Sequence, residues 1–139
     1  MTQEIILRVV AKLLLPYILL FALYVQFHGD YGPGGGFQAG VILAAGVILY
    51  SLIFGLERAR QVAPPALLEV LIAVGLLLYA GVGVVSMLKG ANFLDYGALE
   101  HDPHHGQHLG ILLIELGVGC TVAAAMIAIF FSFAGRRRR

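Results

Sequence analysis

Glu115 is the ionisable residue whose position in the sequence points most directly to chemistry. It lies in the apolar run that begins near Leu109, roughly 9 Å into a helix that rises 1.5 Å per residue. An ionisable side chain inside a membrane span is costly and is a candidate for a proton or ion path. The alternative is that the helix enters lipid only near Leu116, which leaves the carboxylate at the interface. We therefore take Glu115 as a candidate for an ion or proton path.

A second candidate site is the connection that follows the first apolar run. His28 and Asp30 could line a polar entry to an ion path, or they could cap a helix and close a turn. A motif rich in glycine follows and is predicted to shape the loop: Pro33, Gly34, Gly35, Gly36, Phe37 and Gly40. Proline removes a backbone donor and three glycines give conformational freedom, so a tight turn is expected. A phosphate-binding loop is excluded, because no strand precedes it and no Gly-Lys-Ser/Thr ending follows.

Four of the five histidines fall between His101 and His108. His104 and His108 are four apart, a spacing that would place two imidazoles on one helix face for a metal ion. However, Pro103 and Gly106 argue against a regular helix there, and no His-Glu-x-x-His motif is present. The prediction is a solvated loop, with no metal and no cofactor; a metal site at His104 and His108 is the weaker alternative.

The composition predicts an all-α integral membrane protein. The 139 residues are 60% hydrophobic and 12% charged, with a mean hydropathy of +0.90, whereas a soluble domain is about a quarter charged. The chain cannot cover a water-facing surface with so few polar residues. The lone cysteine, Cys120, is expected to be a buried apolar residue. No nucleic-acid surface is predicted, since the terminal arginines suit a topology anchor with affinity for anionic lipid.

Four transmembrane helices are predicted within a single domain, residues 1–139. Each is close to the ~20 residues that a bilayer core requires, and their approximate ranges are 9–27, 37–56, 66–88 and 109–133. The Pro64-Pro65 pair marks the start of the third. The connections are predicted to be loops.

The distribution of Lys and Arg predicts the orientation. Of nine such residues, only Lys89 falls on one side of a four-span arrangement, and the other eight fall on the opposite side. Because basic residues are retained in the cytoplasm, both termini are predicted to be cytoplasmic. The glycine-rich and histidine-rich connections then share the outer face.

Two motifs resemble a known family. The pattern His28-x-x-x-x-Pro33-Gly34-Gly35-Gly36-Phe37-x-x-Gly40 before an apolar helix, and Ile114-Glu115-Leu116-Gly117-Val118, are similar to the MrpB/MnhB family. Members of this family are small subunits of the Mrp-type (also called Mnh) multisubunit Na⁺/H⁺ antiporters. The resemblance covers the whole four-helix layout, and its specificity lies in the Pro-Gly-Gly-Gly-Phe block.

The resemblance implies a small, non-catalytic subunit of a monovalent cation (Na⁺)/proton antiporter. Its expected partners are large antiporter-like subunits and small membrane subunits, and the complex exchanges Na⁺ for H⁺ in a bacterial or archaeal cytoplasmic membrane. Three alternatives are an MnhB-like module of a membrane-bound hydrogenase or complex I-related assembly, a small stand-alone exporter, and an outer-face metalloenzyme. Neighbouring subunits would distinguish the first of these. A stand-alone exporter would need ionisable residues at mid-depth, which the first three spans lack.

Overall fold

A computed structural model of the chain describes residues 2–29 and 34–136. Its helices are α1 (Thr2–His28), α2 (Gly36–Phe54), α3 (Leu56–Val62), α4 (Pro65–Leu88), a 3₁₀ turn (Tyr96–Ala98) and α5 (Pro103–Arg136). No strand occurs in these residues, which confirms the all-α prediction. Four of the helices, α1, α2, α4 and α5, are long and apolar enough to cross a membrane. The short helix α3 was not predicted.

Local sequence explains why α2, α3 and α4 are separate helices. Gly55 ends α2 with a φ of +101°, a conformation that favours glycine. Pro65 is the first residue of α4, where its missing N–H has no helical partner to lose. The seven residues of α3 therefore form a short separate helix where the sequence analysis predicted a connecting loop.

The last helix is longer than predicted, because it begins at Pro103 and takes in His104, His105 and His108. The expectation that Pro103 and Gly106 would prevent a helix was wrong. Proline is tolerated in the first helical turn, and the Asp102 carboxylate caps that turn by accepting a hydrogen bond from the His104 N–H at 3.0 Å. Gly106 packs so closely on the Tyr96 carbonyl that an added Cβ would lie 2.6 Å from its oxygen.

The four long helices stand in a row in the order α1, α2, α5, α4. Helix α5 packs against α2 on one side and α4 on the other, while α1 packs on α2 and meets α5 at few points. At most 28% of the residues in the most apolar stretch of any one helix are buried within the chain. The two broad faces of the row are therefore largely uncovered by the described residues.

One end of the row contains the apolar core, and we call it the Arg60 end. Its buried residues come from α2, α3, α4 and α5 and the turn before α4: Ala44, Ala59, Ala63, Leu68, Ala124, Ile127 and Phe131. The Arg60 guanidinium lies 6.0 Å from the centre of the Phe131 ring and donates to the Phe131 carbonyl at 3.4 Å. Lys12 lies 5.7 Å from the centre of the Phe54 ring. Basic residues of α1 and α3 thus flank aromatic residues at the end of the row where the carboxyl terminus of α5 lies.

The opposite end carries a folded cap, residues 89–102, that joins α4 to α5. The Lys89 ammonium donates to the Leu99 carbonyl at 2.6 Å, and the Asp95 carboxylate accepts from the Gly97 N–H at 3.3 Å. Phe93 fills the space beside Gly83 of α4, and Tyr96 fills the space beside Gly110 of α5. The connection predicted as a loop is therefore packed against both helices.

Candidate functional site: Glu115 among glycines

The carboxylate of Glu115 lies against the backbone of Gly29 and Gly35. A Cβ added to Gly29 would lie 2.6 Å from Glu115 Oε2, and one added to Gly35 would lie 3.0 Å from Oε1. Glu115 is half-buried and takes part in a polar interaction, so it is not an isolated charge. Two residues about eighty positions earlier thus approach Glu115 closely because neither carries a side chain.

Helix α2 reaches the same site through its first turn. An added Cβ at Gly36 would collide with the Glu115 carbonyl, and one at Gly40 would lie 2.8 Å from the Gly119 carbonyl oxygen. Gly36 and Gly40 are one turn apart on α2, as Glu115 and Gly119 are on α5. These glycines allow the two backbones to touch, which is the usual way that helices pack tightly in lipid. We call Gly29, Gly35 and Gly36 the glycine cluster.

The Glu115 carboxylate lies beside the N-terminal end of α2. The N-terminal turn of α2 has backbone N–H groups without helical acceptors, and its N-cap residue, Gly35, offers no side-chain acceptor. The end of the helix therefore carries a partial positive charge, worth about 0.3–1 kcal/mol to a neighbouring carboxylate and up to about 2 kcal/mol where it is partly buried. The partial positive charge of this helix end thus lies beside Glu115 within an otherwise apolar row of helices.

The other predicted residues lie at differing distances from Glu115. His28 precedes Gly29 and stacks on Tyr24 with ring centres 5.1 Å apart. Gly34 faces Val25 of α1, whose Cγ1 would be 3.1 Å from an added Cβ, and its φ of +142° suits glycine. Phe37 points outward with 60% of its surface exposed. Asp30 and Pro33 lie outside the described residues.

Gln26 is part of the site and was missed from the sequence. It is 6% exposed, its Oε1 lies 2.5 Å from where a Cβ of Gly119 would be, and its Nε2 has no hydrogen-bond partner among the described residues. In the sequence, the one sign of this residue's role is an amide side chain between Val25 and Phe27 within an apolar run. Because an amide carries no charge, a search for ionisable residues passes over it.

In the histidine region, the imidazole of His105 lies near two exposed acidic side chains. His105 lies 4.0 Å from a Glu100 oxygen and 3.9 Å from an Asp102 oxygen, and all three side chains are largely exposed. His104 and His108 do share a helix, as the weaker metal alternative required. Across residues 2–29 and 34–136, no group of three His, Cys, Asp or Glu side chains is arranged to hold a metal ion.

Four helices long and apolar enough to cross a membrane, with a carboxylate set among glycine backbones, define a multi-pass membrane protein. Residues 6–128 match the family model described as "Domain related to MnhB subunit of Na+/H+ antiporter". Relatives named "Putative antiporter subunit mnhB2" in Staphylococcus aureus strains Newman, JH1 and COL are 33% identical over 138 residues, covering 97% of this chain and 97% of each relative. The chain belongs to the MnhB family of Na⁺/H⁺ antiporter subunits.

Proposed function

We propose that this chain is a non-catalytic membrane subunit of a multisubunit Na⁺/H⁺ antiporter in which Glu115 relays protons or contacts the ion path of a neighbouring subunit. The observation that carries the proposal is the position of the Glu115 carboxylate against Gly29 and Gly35, beside the first turn of α2. A carboxyl group is able to donate and accept a proton, and this one lies beside the positive end of a helix dipole within an apolar span.

The length of α5 supports placing Glu115 within the membrane rather than at its surface. The helix begins at Pro103, so Glu115 lies roughly 18 Å from its first residue at 1.5 Å per residue. The residues just before Glu115, from Leu109 to Ile114, are all apolar or glycine, and Leu109 and Leu112 are exposed. Exposed apolar side chains on that side of Glu115 favour lipid or a partner helix around them.

The basic residues support an orientation with both termini in the cytoplasm of a bacterial or archaeal cell. Lys12 and Arg60 lie at the Arg60 end of the row, near the carboxyl terminus of α5. Lys89 lies in the cap at the opposite end. Under the preference of Lys and Arg for the cytoplasmic side, the Arg60 end faces the cytoplasm and Glu115 lies nearer the outer surface.

The uncovered faces of the row support a role in assembly. Helix α1 exposes a continuous apolar face, and only 11% of its most apolar stretch is buried within the chain. Tyr17, Phe21, Tyr24 and Phe27 lie on that face. In this proposal the neighbours on these faces are the large antiporter-like subunits and the other small membrane subunits of the complex, which exchanges Na⁺ and H⁺.

The test is Glu115→Gln in the intact complex, assayed as sodium-dependent proton movement in everted membrane vesicles. We expect the exchange rate to fall about a hundredfold, the scale associated with loss of a proton-transfer group. The amount of complex that co-purifies with a tag on this chain should stay unchanged, because Gln keeps the size of the side chain.

Glu69→Gln is the matched control, since Glu69 is an exposed acid in the early part of α4. It should leave both exchange and assembly as in the wild type. Normal exchange by Glu115→Gln at matched amounts of complex would contradict the proposal. Co-purification of hydrogenase subunits in place of antiporter subunits would instead assign the chain to the related assembly.

A further inference from the structure

A groove between α1 and α2 lies at the Arg60 end of the row of helices and opens to the surroundings of the row. Its volume is about 370 Å³, and its walls are almost wholly apolar. Among the described residues that line it, Lys12 is the one that carries a charge. The groove therefore combines an extended apolar surface with a single ammonium group.

The contact between α1 and α2 sets the inner end of the groove. A Cβ added to Gly46 of α2 would lie 3.1 Å from Leu19 Cδ2 of α1, so the two helices touch at this level. Nearer the Arg60 end, the rings of Tyr50 and Phe54 line the groove with their centres 4.9 Å apart. Leu19 follows Lys12 by two helical turns, roughly 10 Å along the axis. The groove thus runs lengthwise from Lys12 to the contact at Gly46.

Lys12 places the charged end of the groove near one surface of the membrane. It precedes His28 by sixteen residues of α1, roughly 24 Å at 1.5 Å per residue, and the hydrocarbon core is about 30 Å thick. Phe54 is the last residue of α2, and the Lys12 ammonium lies 5.7 Å from the centre of its ring. Lysines near helix ends extend their charge to the lipid headgroups, so this ammonium lies at headgroup level.

We propose that this groove binds an anionic phospholipid, with one acyl chain along the apolar walls and the phosphate beside the Lys12 ammonium. An ammonium has three donors and no acceptor, and it bonds strongly to phosphate oxygens. An acyl chain is narrow and flexible enough to follow the groove as far as Gly46. A transmembrane helix is about 10 Å across, so it could cover the groove but could not enter where α1 and α2 touch.

The charges around the groove favour an anionic headgroup over a zwitterionic one. At the Arg60 end, the basic residues that the structure describes outnumber the acids by five to three: Arg8, Lys12, Arg58, Arg60 and Arg136 against Glu4, Glu57 and Glu69. Basic pockets between transmembrane helices bind anionic lipid headgroups in this way. The proposal requires the chain to span a membrane, but it does not require Glu115 to carry protons.

The test is a photo-cross-link from inside the groove, made in the intact complex. Tyr50 is replaced by benzoylphenylalanine, and the complex is reconstituted in equal amounts of phosphatidylglycerol and phosphatidylcholine with the same acyl chains. After irradiation, the intact mass of this chain identifies which lipid has been attached. Leu52→benzoylphenylalanine is the matched control, because Leu52 lies on the same helix and is 68% exposed.

We expect phosphatidylglycerol adducts at position 50 to exceed phosphatidylcholine adducts about fivefold, which corresponds to about 1 kcal/mol for one basic side chain at the membrane surface. The ratio at position 52 should stay near one. Lys12→Gln should lower the ratio at position 50 to nearly one, and Lys12→Arg should keep it high. Arg58→Gln removes the same charge from an exposed position on α3 outside the groove and should leave the ratio unchanged.

Three results would overturn the proposal. The first is an equal yield of the two lipids at position 50, and the second is an equal loss of selectivity in Arg58→Gln and Lys12→Gln, which would indicate general surface charge. The third is a cross-link from position 50 to another subunit, which would assign the groove to a protein neighbour. The comparison of positions 50 and 52 keeps Lys12 intact, so it decides the matter even if Lys12→Gln does not assemble.

Discussion

The two ends of the helix row are held together in different ways. At the Arg60 end, side chains from four helices fill the core and Phe131 is 4% exposed. Near Glu115, α1, α2 and α5 meet mainly through glycine backbones, and the described polar side chains there include Glu115 and Gln26. Close packing without bulky side chains leaves room for polar groups. Side-chain packing is thus concentrated at the Arg60 end, whereas the proposed function assigns proton exchange to the region around Glu115.

The largest effect is expected from Gly36→Ala, which disrupts the packing of α2 against Glu115. The new Cβ would collide with the Glu115 carbonyl, so α2 must move away from α5. We expect exchange to be lost and the complex to be destabilised by about 3 kcal/mol, at the upper end for overpacking. Vesicle exchange and the thermal midpoint of the purified complex measure the two effects.

Gly81→Ala is the control for that experiment. An added Cβ at Gly81 meets no described atom within 4 Å, so this variant should retain both exchange and thermal midpoint. An active, stable Gly36→Ala complex would show that the contact between α2 and α5 does not shape the site.

Phe131→Ala tests the other side of the comparison. Removing this buried ring from the core should cost about 3 kcal/mol of stability, while exchange per assembled complex stays near the wild-type value. The exposed Phe133, with 69% of its surface accessible, provides the matched variant Phe133→Ala, for which a small change is expected. If Phe131→Ala abolished exchange in complexes that still assemble, the division of roles between the two ends would be wrong.

The smallest expected effect is a loosening of the cap at alkaline pH, and it depends on the Tyr96 hydroxyl. Burial, and secondarily the charge of Tyr79, raise the pKa of the Tyr96 hydroxyl above its ordinary value of 10.0. The folded cap therefore binds this proton more tightly than the unfolded chain does. The resulting stabilisation is complete below pH 10 and is lost as the pH rises through the raised value. Cleavage of residues 89–102 by an alkaline protease should increase in that range.

Tyr96→Phe removes the titrating group, and its cleavage should not show this alkaline increase. Exchange at neutral pH should be unaffected, because Tyr96 lies in the cap and not at the glycine cluster. An identical alkaline increase in Tyr96→Phe would assign the loosening to another group.

Much of the fold could be predicted from the sequence, because a helix that crosses a bilayer must be apolar and about twenty residues long. Four apolar runs near twenty residues each are confirmed as four helices suited to span a membrane. The early start of α5 was missed, since Pro103 looks like a helix breaker until Asp102 is seen to cap the turn. Helix α3 was missed because its seven residues, between Gly55 and Ala63, mix charged and apolar side chains as a loop would.

The candidate site was only partly predictable. Glu115 and the glycine motif could each be recognised locally. Glu115 is an acid within an apolar run, and the glycine motif separates the first two apolar runs. Their contact joins residues far apart in the chain, and no local pattern encodes it. Gln26 was hidden for a related reason, since its contact with Gly119 arises only when α1 packs near α5.

Pro16 interrupts the backbone hydrogen bonding inside the first helix. Proline supplies no N–H, so the Lys12 carbonyl one turn earlier lacks its helical donor, and such positions are common sites of kinks. Helix α1 has one firm neighbour, α2, and its far end carries Gln26 and leads into Gly29. Over the roughly 20 Å from Pro16 to Gly29, a tilt of about 10° shifts the tip by about 3 Å. A small hinge in one helix would thus move the amide and the glycine together, widening or closing the gap at the carboxylate.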